Sequence, residues 1–141
     1  MRLRHKIFAL LATLVLVAAG CGDDATDRLN ATVHTFADAL SKGDAQAAAA
    51  VTTDSSQASG TLGKLFDSLG KNADFEVSKV DHKDNDATFS LDATWKFGKD
   101  GRNQWTYSTT GAATQSGDHW KIQWNPATVA PGLGTCLLYT S

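Results

Sequence analysis

The sequence predicts an α+β domain in which N-terminal helices pack in the concave face of a curved antiparallel sheet. Apolar residues recur at helical spacing before residue 70, and from residue 73 onward they alternate with polar residues. Strands that bury only one face need a covering layer, and the helices are the only candidates for it. With 141 residues, 42% of them hydrophobic and 20% charged, the chain has the length and composition of one folded domain.

Three helices are predicted in the first half of the chain. The first spans residues 27–42 and carries one apolar stripe, formed by Leu29, Val33, Phe36, Ala37 and Leu40. Gly43 ends it, and Asp44 caps a second, alanine-rich helix over residues 45–51. The polar residues 52–60 are predicted to form a loop. A third, short helix that stops at Gly70 is marked by Leu62, Leu65, Phe66 and Leu69.

The strict alternation over residues 86–97 is the clearest pattern in the second half. Its apolar members are Ala87, Phe89, Leu91, Ala93, Trp95 and Phe97. Such alternation predicts an antiparallel strand with one buried face and one solvated face. A preceding strand starts at residue 73 and contains a slip in register between Val77 and Val80, and a polar turn over residues 81–86 comes after it.

Two further strands complete the predicted sheet. Trp105 and Tyr107 share a face of the third strand, which lies between turns at residues 98–101 and 115–118. The last strand ends at residues 125–126, and one of its faces carries Trp120, Ile122 and Trp124.

The first 21 residues have the pattern of an export signal. A basic start precedes a 14-residue apolar run over residues 7–20, which is shorter than the roughly 20 residues that a membrane span needs. Cys21 comes directly after this run, and the string resembles a bacterial lipoprotein signal, in which the cysteine sulfur takes a diacylglyceryl group. We predict a signal peptide over residues 1–20 and a lipid anchor with a tether over residues 21–28, on the outer face of the cytoplasmic membrane. A plain secretory signal is the alternative.

The last six residues, 136–141, read Cys-Leu-Leu-Tyr-Thr-Ser, which a common transposon-end sequencing adaptor encodes in one reading frame. We predict that this segment is adaptor read-through, with a genuine apolar tail as the alternative. Residues 127–135 are then expected to begin a linker to a downstream domain that is missing from this chain.

Two stretches carry a family resemblance. Residues 36–52 (FADALSKGDAQAAAAVT) and residues 120–133 (WKIQWNPATVAPGL) resemble the domain that precedes the transpeptidase in certain penicillin-binding proteins. That domain is the nuclear-transport-factor-2-like module of the methicillin-resistance type. The strand with Trp95 and the W-x-Y string that ends at Tyr107 are also similar to it. Ala130 departs from the pattern, because the family has histidine there, and the proline of Asn125-Pro126 comes one position early.

The resemblance implies a fold and a function for residues 29–126. The fold is the cone of nuclear-transport-factor-2-like and cystatin-like proteins. The function is that of a non-catalytic spacer in a class B penicillin-binding protein, a peptidoglycan transpeptidase of cell-wall synthesis and β-lactam response. The catalytic motifs of such enzymes are S-x-x-K, S-x-N and K-T-G, and we expect all three to be absent from this chain.

The resemblance also implies the partners of the chain. They are the membrane, the downstream transpeptidase domain and, as further candidates, peptidoglycan or division proteins. No cofactor or metal is expected. The alternative is a free-standing cone-fold lipoprotein that binds a ligand or an envelope partner. The length of natural chain after Leu133 distinguishes the two hypotheses.

Cone folds also host enzymes that use acid–base side chains, so an isomerase or hydrolase is a third hypothesis. The candidates are His34, Asp38, Asp92, Tyr107 and His119. The patterns place all of them on solvated surfaces except Tyr107, which is expected in the core with its hydroxyl at an edge. No spacing brings two candidates together, which argues against a catalytic cavity. The four tryptophans are expected to fill the concave face, with a glycan-binding groove as the alternative.

Charge and a missing motif argue against two other classes of site. The net charge is −2 and becomes −5 once the three basic residues of the signal peptide are removed, and this balance argues against nucleic-acid binding. The acidic string at residues 81–86 lacks the glycine and glutamate of a calcium-binding loop, so we expect a solvated turn there.

Overall fold

The computed structural model describes residues 24–131, and the predicted signal peptide, Cys21 and residues 132–141 lie outside this range. Four helices and four strands follow one another as α1 (Asp24–Lys42), α2 (Ala45–Ala50), α3 (Ser55–Leu69), β1 (Ala73–Lys83), β2 (Asp86–Phe97), β3 (Asn103–Ser116), β4 (His119–Ile122) and α4 (Pro126–Val129). The strands form one antiparallel sheet in the order β1-β2-β3-β4. The predicted α+β class, with helices preceding a curved antiparallel sheet, is confirmed.

The core lies between the stripe of α1 and the inward face of β2, as the two periodicities predict. All five stripe residues of α1 are buried, and Phe36 meets Phe89 edge to face with 6.4 Å between ring centroids. On β2 every second residue from Ala87 to Trp95 is buried, and the residues between them face solvent or are partly covered. Full burial of each large apolar side chain contributes roughly 1.5–3 kcal/mol, so this interface holds the helix to the sheet.

The helix α1 begins at Asp24, three residues earlier than predicted, so residues 24–28 are helical and not an irregular tether. Side chains of the sheet hold this first turn. The indole Nε1 of Trp120 donates to the Ala25 carbonyl at 3.0 Å, and Thr26 Oγ1 lies 3.1 Å from His82 Nε2. These contacts come from residues 56 and 95 positions away, which local periodicity does not reveal.

The helix α3 begins at Ser55, so the prediction of a loop over residues 52–60 is wrong for most of that segment. The carboxylate of Asp54 accepts the Gln57 N–H at 3.1 Å and caps the helix. Ala58 and Leu62 are buried one turn apart, and their packing outweighs the weak helix propensity of the serines and Gly60. The predicted α2 with its Asp44 cap is confirmed, as is the end of α3 at Gly70.

The predicted slip in the first strand is confirmed, because the pairing of β1 with β2 shifts register between Val77 and Lys79. The turn after it is shorter than predicted. Strand pairing continues to Lys83 and resumes at Asp86, which leaves Asp84 and Asn85 as the loop. Asp84 takes a left-handed conformation with φ of 57°, which aspartate tolerates better than most residues.

The boundary of the domain lies beyond residue 126, where the sequence analysis placed the start of a linker. Pro126 opens α4, and the side chain of Asn125 caps it by accepting the Ala127 N–H at 3.0 Å. Val129 and Ala130 are buried, so this segment is part of the core. The short helix is invisible to periodicity because it has only four residues.

A glycine makes room for α4 on the sheet. A Cβ at Gly111 would lie 2.6 Å from Thr128 Cγ2 and would also collide with the ring of Phe89. Only glycine therefore lets α4 approach the inward face of β3. Within residues 24–131 none of the helices has the length and apolar character to cross a bilayer.

Candidate functional site at the open edge of the sheet

Tyr107 is the centre of the candidate site, because its hydroxyl joins β2 to α4. Trp95 Nε1 donates to Tyr107 Oη at 2.8 Å, and the Tyr107 hydroxyl donates to the Val129 carbonyl at 2.7 Å. Thr109 repeats this arrangement one step along β3 by donating to the Thr128 carbonyl at 2.6 Å. The end of α4 is thus fixed against β3 by two side-chain hydroxyls.

The prediction of Tyr107 as a core residue holds only in part, because its side chain packs against the core without being fully buried. The ring is half-buried. Burial raises the pKa of the phenol above its usual value of 10.0, and the hydrogen bond from Trp95 opposes this shift in part. A neutral phenol is needed for its bond to Val129, because a phenolate has no proton to donate.

Trp105 lies beside Tyr107 and is the large apolar side chain that the described residues leave most exposed, with 39% of its surface accessible. The two aromatic rings have centroids 4.6 Å apart and an interplanar angle of 50°. Trp105 pairs across the sheet with Trp95, which is completely buried. The aromatic layer of the core therefore continues to the surface at this point.

The outer edge of β3 next to Trp105 is open. Pairing with β4 covers only residues 113–116, and no strand of the described part of the chain pairs with residues 103–110 on that side. Backbone groups in an antiparallel pair point alternately toward one neighbour and the other. On β2, the backbone N–H of Lys96 points toward β1 and donates to the Asn72 carbonyl. The backbone groups of the preceding residue, Trp95, therefore point toward β3 and bond to those of Trp105. On β3, the backbone N–H and C=O groups that point away from β2 are then those of Gln104, Thr106, Ser108 and Thr110.

The acid–base candidates of the sequence analysis are not brought together. His34 and Asp38 are exposed on α1, Asp92 is exposed on β2, and His119 is exposed at the start of β4. Asp92 accepts a hydrogen bond from the Ser108 hydroxyl at 2.6 Å, on the solvated face of the sheet. Within residues 24–131 no hydrogen bond joins any two of these candidates, and no three acidic, histidine or cysteine side chains cluster as metal ligands.

The expectation that S-x-x-K is absent is wrong as a statement of spacing, because residues 68–71 read Ser-Leu-Gly-Lys. The two residues do not share a helical turn. Ser68 lies in the last turn of α3, and Gly70 ends the helix with φ of 89°, so Lys71 lies beyond the helix. The stem of Lys71 instead covers Gly43. Residues 68–71 therefore have the spacing of S-x-x-K, but they do not form the helical turn that places the lysine side chain next to the serine hydroxyl.

The four tryptophans divide between core and surface. Trp95 and Trp120 are buried, as predicted. Trp124 is half-buried beyond the end of β4, and its Nε1 is buried without a hydrogen-bond partner in the described part of the chain. Trp105 is the exception to the prediction of a tryptophan-filled core, because β4 is too short to cover its end of β3.

A family model described as "NTF2-like N-terminal transpeptidase domain" matches residues 29–136. The chain belongs to this family. The match begins at Leu29, the first residue of the predicted domain, and covers all four strands. A comparison with curated proteins returned no match.

Solved structures resemble this NTF2-like domain in fold. An NTF2-like protein with a cystatin-like fold from Novosphingobium aromaticivorans has a TM-score of 0.54 at 11% identity, covering 80% of this chain and 82% of its own. A cystatin-fold protein from the same organism has a TM-score of 0.52 at 11% identity, covering 65% and 92%. A designed protein with a curved β-sheet has a TM-score of 0.52 at 13% identity, covering 80% and 97%. These similarities establish the cone fold and nothing about function.

Proposed function

We propose that this NTF2-like domain is a membrane-anchored spacer of a class B penicillin-binding protein. It holds a downstream D,D-transpeptidase domain away from the outer face of the cytoplasmic membrane. The family match supports the connection to a transpeptidase. The anchor is Cys21, and its position three residues before α1 gives little slack between the lipid and the folded domain.

The observation that carries the proposal is the separation between the two ends of the domain. The start of α1 contacts His82, which pairs with Ala87 at one end of β2. The end of α4 is bound through Tyr107 to Trp95 at the other end of β2. Trp95 lies eight positions after Ala87 along β2, a distance of about 25 Å. The chain therefore enters at one end of the sheet and leaves at the other, as a spacer requires.

The packing between these ends makes the spacer stiff. The nineteen-residue helix α1 is about 28 Å long and packs along β2, and near its far end the Ser41 hydroxyl accepts the Phe75 N–H at 2.8 Å. The interior is filled by apolar side chains, the largest of which are fully buried: Trp95, Phe36, Phe89, Leu29 and Leu40. A dense core of this kind resists compression, so force or position is transmitted from one end to the other.

The reading frame of the source DNA beyond the codon for Thr135 tests the transpeptidase part of the proposal. An open frame of several hundred codons that contains S-x-x-K, S-x-N and K-T-G in this order is the expected result. A stop codon within a few positions would contradict it and would favour the free-standing lipoprotein.

Metabolic labelling with a fatty acid tests the anchor. We expect label on the chain and its recovery with membranes, and we expect Cys21→Ala to abolish both. The matched control is Cys136→Ala, which changes the other cysteine of the chain and leaves the label in place. Labelling that is unchanged in Cys21→Ala would overturn the lipoprotein assignment.

A further inference from the structure

We propose that a cleft between α1 and β4 binds the phosphate group of an anionic membrane phospholipid. The cleft has a volume of about 570 Å³, which lies within the range of small-molecule sites in proteins. One wall is the face of α1 that carries Arg28, and the other is formed by the first three residues of β4. The choice of a lipid phosphate rests on the membrane anchoring proposed above, whereas the cationic cleft itself is a feature of the described residues.

The helix α1 contributes the first cation. Arg28, Ala31 and Thr32 all line the cleft, because residues three and four positions apart share one face of a helix. The buried Leu29 and Val33 follow Arg28 and Thr32 directly, so this face borders the core. Among residues 24–131 Arg28 makes no ion pair, which leaves its guanidinium N–H donors for an anion.

The strand β4 contributes the second cation. Trp120 and Ile122 are buried, whereas Lys121 between them is exposed. Its Nζ donates to the Ala50 carbonyl at 3.2 Å, which holds the ammonium at the end of α2, next to the lining residue Val51. An ammonium has three donors, so two of them remain for a ligand.

Two cations at one cleft indicate an anionic ligand. The only acid in the lining is Asp118, so Arg28 and Lys121 leave an excess of one positive charge in a chain whose net charge is −2. A phosphodiester carries one negative charge, and arginine and lysine bind its oxygens through charge-assisted hydrogen bonds. The hydroxyls of Thr32 and Ser116 add two neutral donors to the same cleft.

The rest of the lining is apolar and suits the non-phosphate part of a lipid. It is formed by Ala31, Val51 and Trp120. The indole of Trp120 is fixed, because its Nε1 donates to the Ala25 carbonyl at 3.0 Å. This bond also places the cleft at the end of the sheet where α1 begins, which is the membrane-facing end of the proposed spacer. A phospholipid uses both the cations and the apolar lining, whereas a free phosphate uses the cations alone.

Amide chemical shifts of the 141-residue chain carrying Cys21→Ala test the site. The probes are a short-chain phosphatidylglycerol, kept below its critical micelle concentration, and inorganic phosphate. We expect the amides of Arg28, His119 and Lys121 to shift with the lipid and to reach saturation. Inorganic phosphate is expected to bind about tenfold more weakly, because it buries no apolar surface.

Variants separate the cleft from general charge attraction. Arg28→Gln combined with Lys121→Gln is expected to weaken lipid binding about tenfold, because charge-assisted hydrogen bonds are lost. The matched control combines Lys42→Gln with Lys64→Gln, which removes the same charge from exposed positions outside the cleft and leaves the affinity unchanged. Asp118→Asn is expected to strengthen binding about threefold, because it removes a carboxylate that repels the phosphate.

Four results would overturn the proposal. The first is the lack of saturable shifts at the cleft amides, and the second is an equal lipid affinity of the parent and the Arg28→Gln, Lys121→Gln variant. The third is an equal loss in the lysine control, which would mean general charge attraction. The fourth is inorganic phosphate that binds as tightly as the lipid, which would assign the cleft to a soluble phosphate. Unchanged amide shifts of β2 in every variant verify that the fold is intact.

The anchor and the cleft fail separately in these experiments. The lipid probe is soluble and the chain carries Cys21→Ala, so the shifts report the cleft whether or not the natural chain is acylated. Fatty-acid labelling reports the anchor alone. Saturable shifts without labelling of the natural chain would therefore refute the anchor, and labelling without shifts would refute the cleft.

Discussion

β1, at one side of the sheet, carries five charged side chains among eleven residues. β3, whose outer edge no strand within residues 24–131 covers at positions 103–110, carries none among fourteen. The edge of β1 is further closed where Ser41 binds the Phe75 N–H, and it is bent by the register shift after Val77. Charged side chains and a bend disfavour the pairing of a further strand with β1, whereas uncharged β3 has no such protection at its edge. One part of the β3 edge, residues 113–116, pairs with β4, and α4 packs on the inward face of the strand.

Filling the space under α4 has the largest expected effect on the covered half of β3. Gly111→Leu forces a side chain into the ring of Phe89 and into Thr128, so we expect a loss of about 3 kcal/mol in the free energy of unfolding. Urea denaturation measures it. The control is Gly60→Ala, because a Cβ at this position meets no atom within 4 Å. Replacing glycine by alanine inside a helix is expected to raise the free energy of unfolding by about 0.5–1 kcal/mol. Equal effects of the two changes would mean that α4 does not rest on β3.

Removal of the Tyr107 hydroxyl is expected to have the next largest effect. Tyr107→Phe leaves Trp95 Nε1 and the Val129 carbonyl without their shared partner, at a cost of about 2 kcal/mol. Thermal unfolding at neutral pH measures this cost. A Tyr107→Phe variant as stable as the parent would show that the hydroxyl does not hold α4.

The same hydroxyl predicts a pH dependence. Because burial raises the pKa of Tyr107 in the folded state above 10.0, its stabilisation is complete below pH 10 and is lost as the pH rises through the folded-state pKa. The parent should therefore lose stability more steeply above pH 10 than Tyr107→Phe. Parallel alkaline profiles of the two proteins would contradict the assignment.

The closed edge of β1 is expected to depend modestly on Ser41. Ser41→Ala removes the acceptor of the Phe75 N–H and costs about 1 kcal/mol, since the site is only partly buried. On the open edge, Thr106→Ala changes an exposed side chain and is expected to alter stability by less than about 0.5 kcal/mol. Urea denaturation of Ser41→Ala and Thr106→Ala measures both losses of stability. A larger loss in Thr106→Ala than in Ser41→Ala would contradict the expected difference between the two edges.

The sequence predicted most of the fold, because the fold depends on periodicity. The stripe of α1 and the alternation of β2 are local patterns, and both appear in the core as expected. The early start of α1 and the packing of α4 could not be predicted, since they depend on Trp120 and on Gly111, which are distant in sequence from the residues they hold.

The candidate site was predicted only in part. The W-x-Y spacing placed Trp105 and Tyr107 on one face, and the structure brings their rings together. Alternation could not show that β4 covers only four residues of β3, so the exposure of Trp105 was missed. The sequence analysis ended the last strand at residues 125–126, whereas β4 ends at Ile122 and leaves Trp124 outside the strand.

The distance between the two ends of the domain tests the spacer account most directly. Spin labels at Asp27→Cys and Pro131→Cys, both exposed positions, are placed in a chain that carries Cys21→Ala and Cys136→Ala. A stiff spacer gives one narrow distribution centred at about 25 Å, the length of β2 between its two anchored ends. A broad distribution, or a short distance with both labels at one end of the sheet, would contradict it.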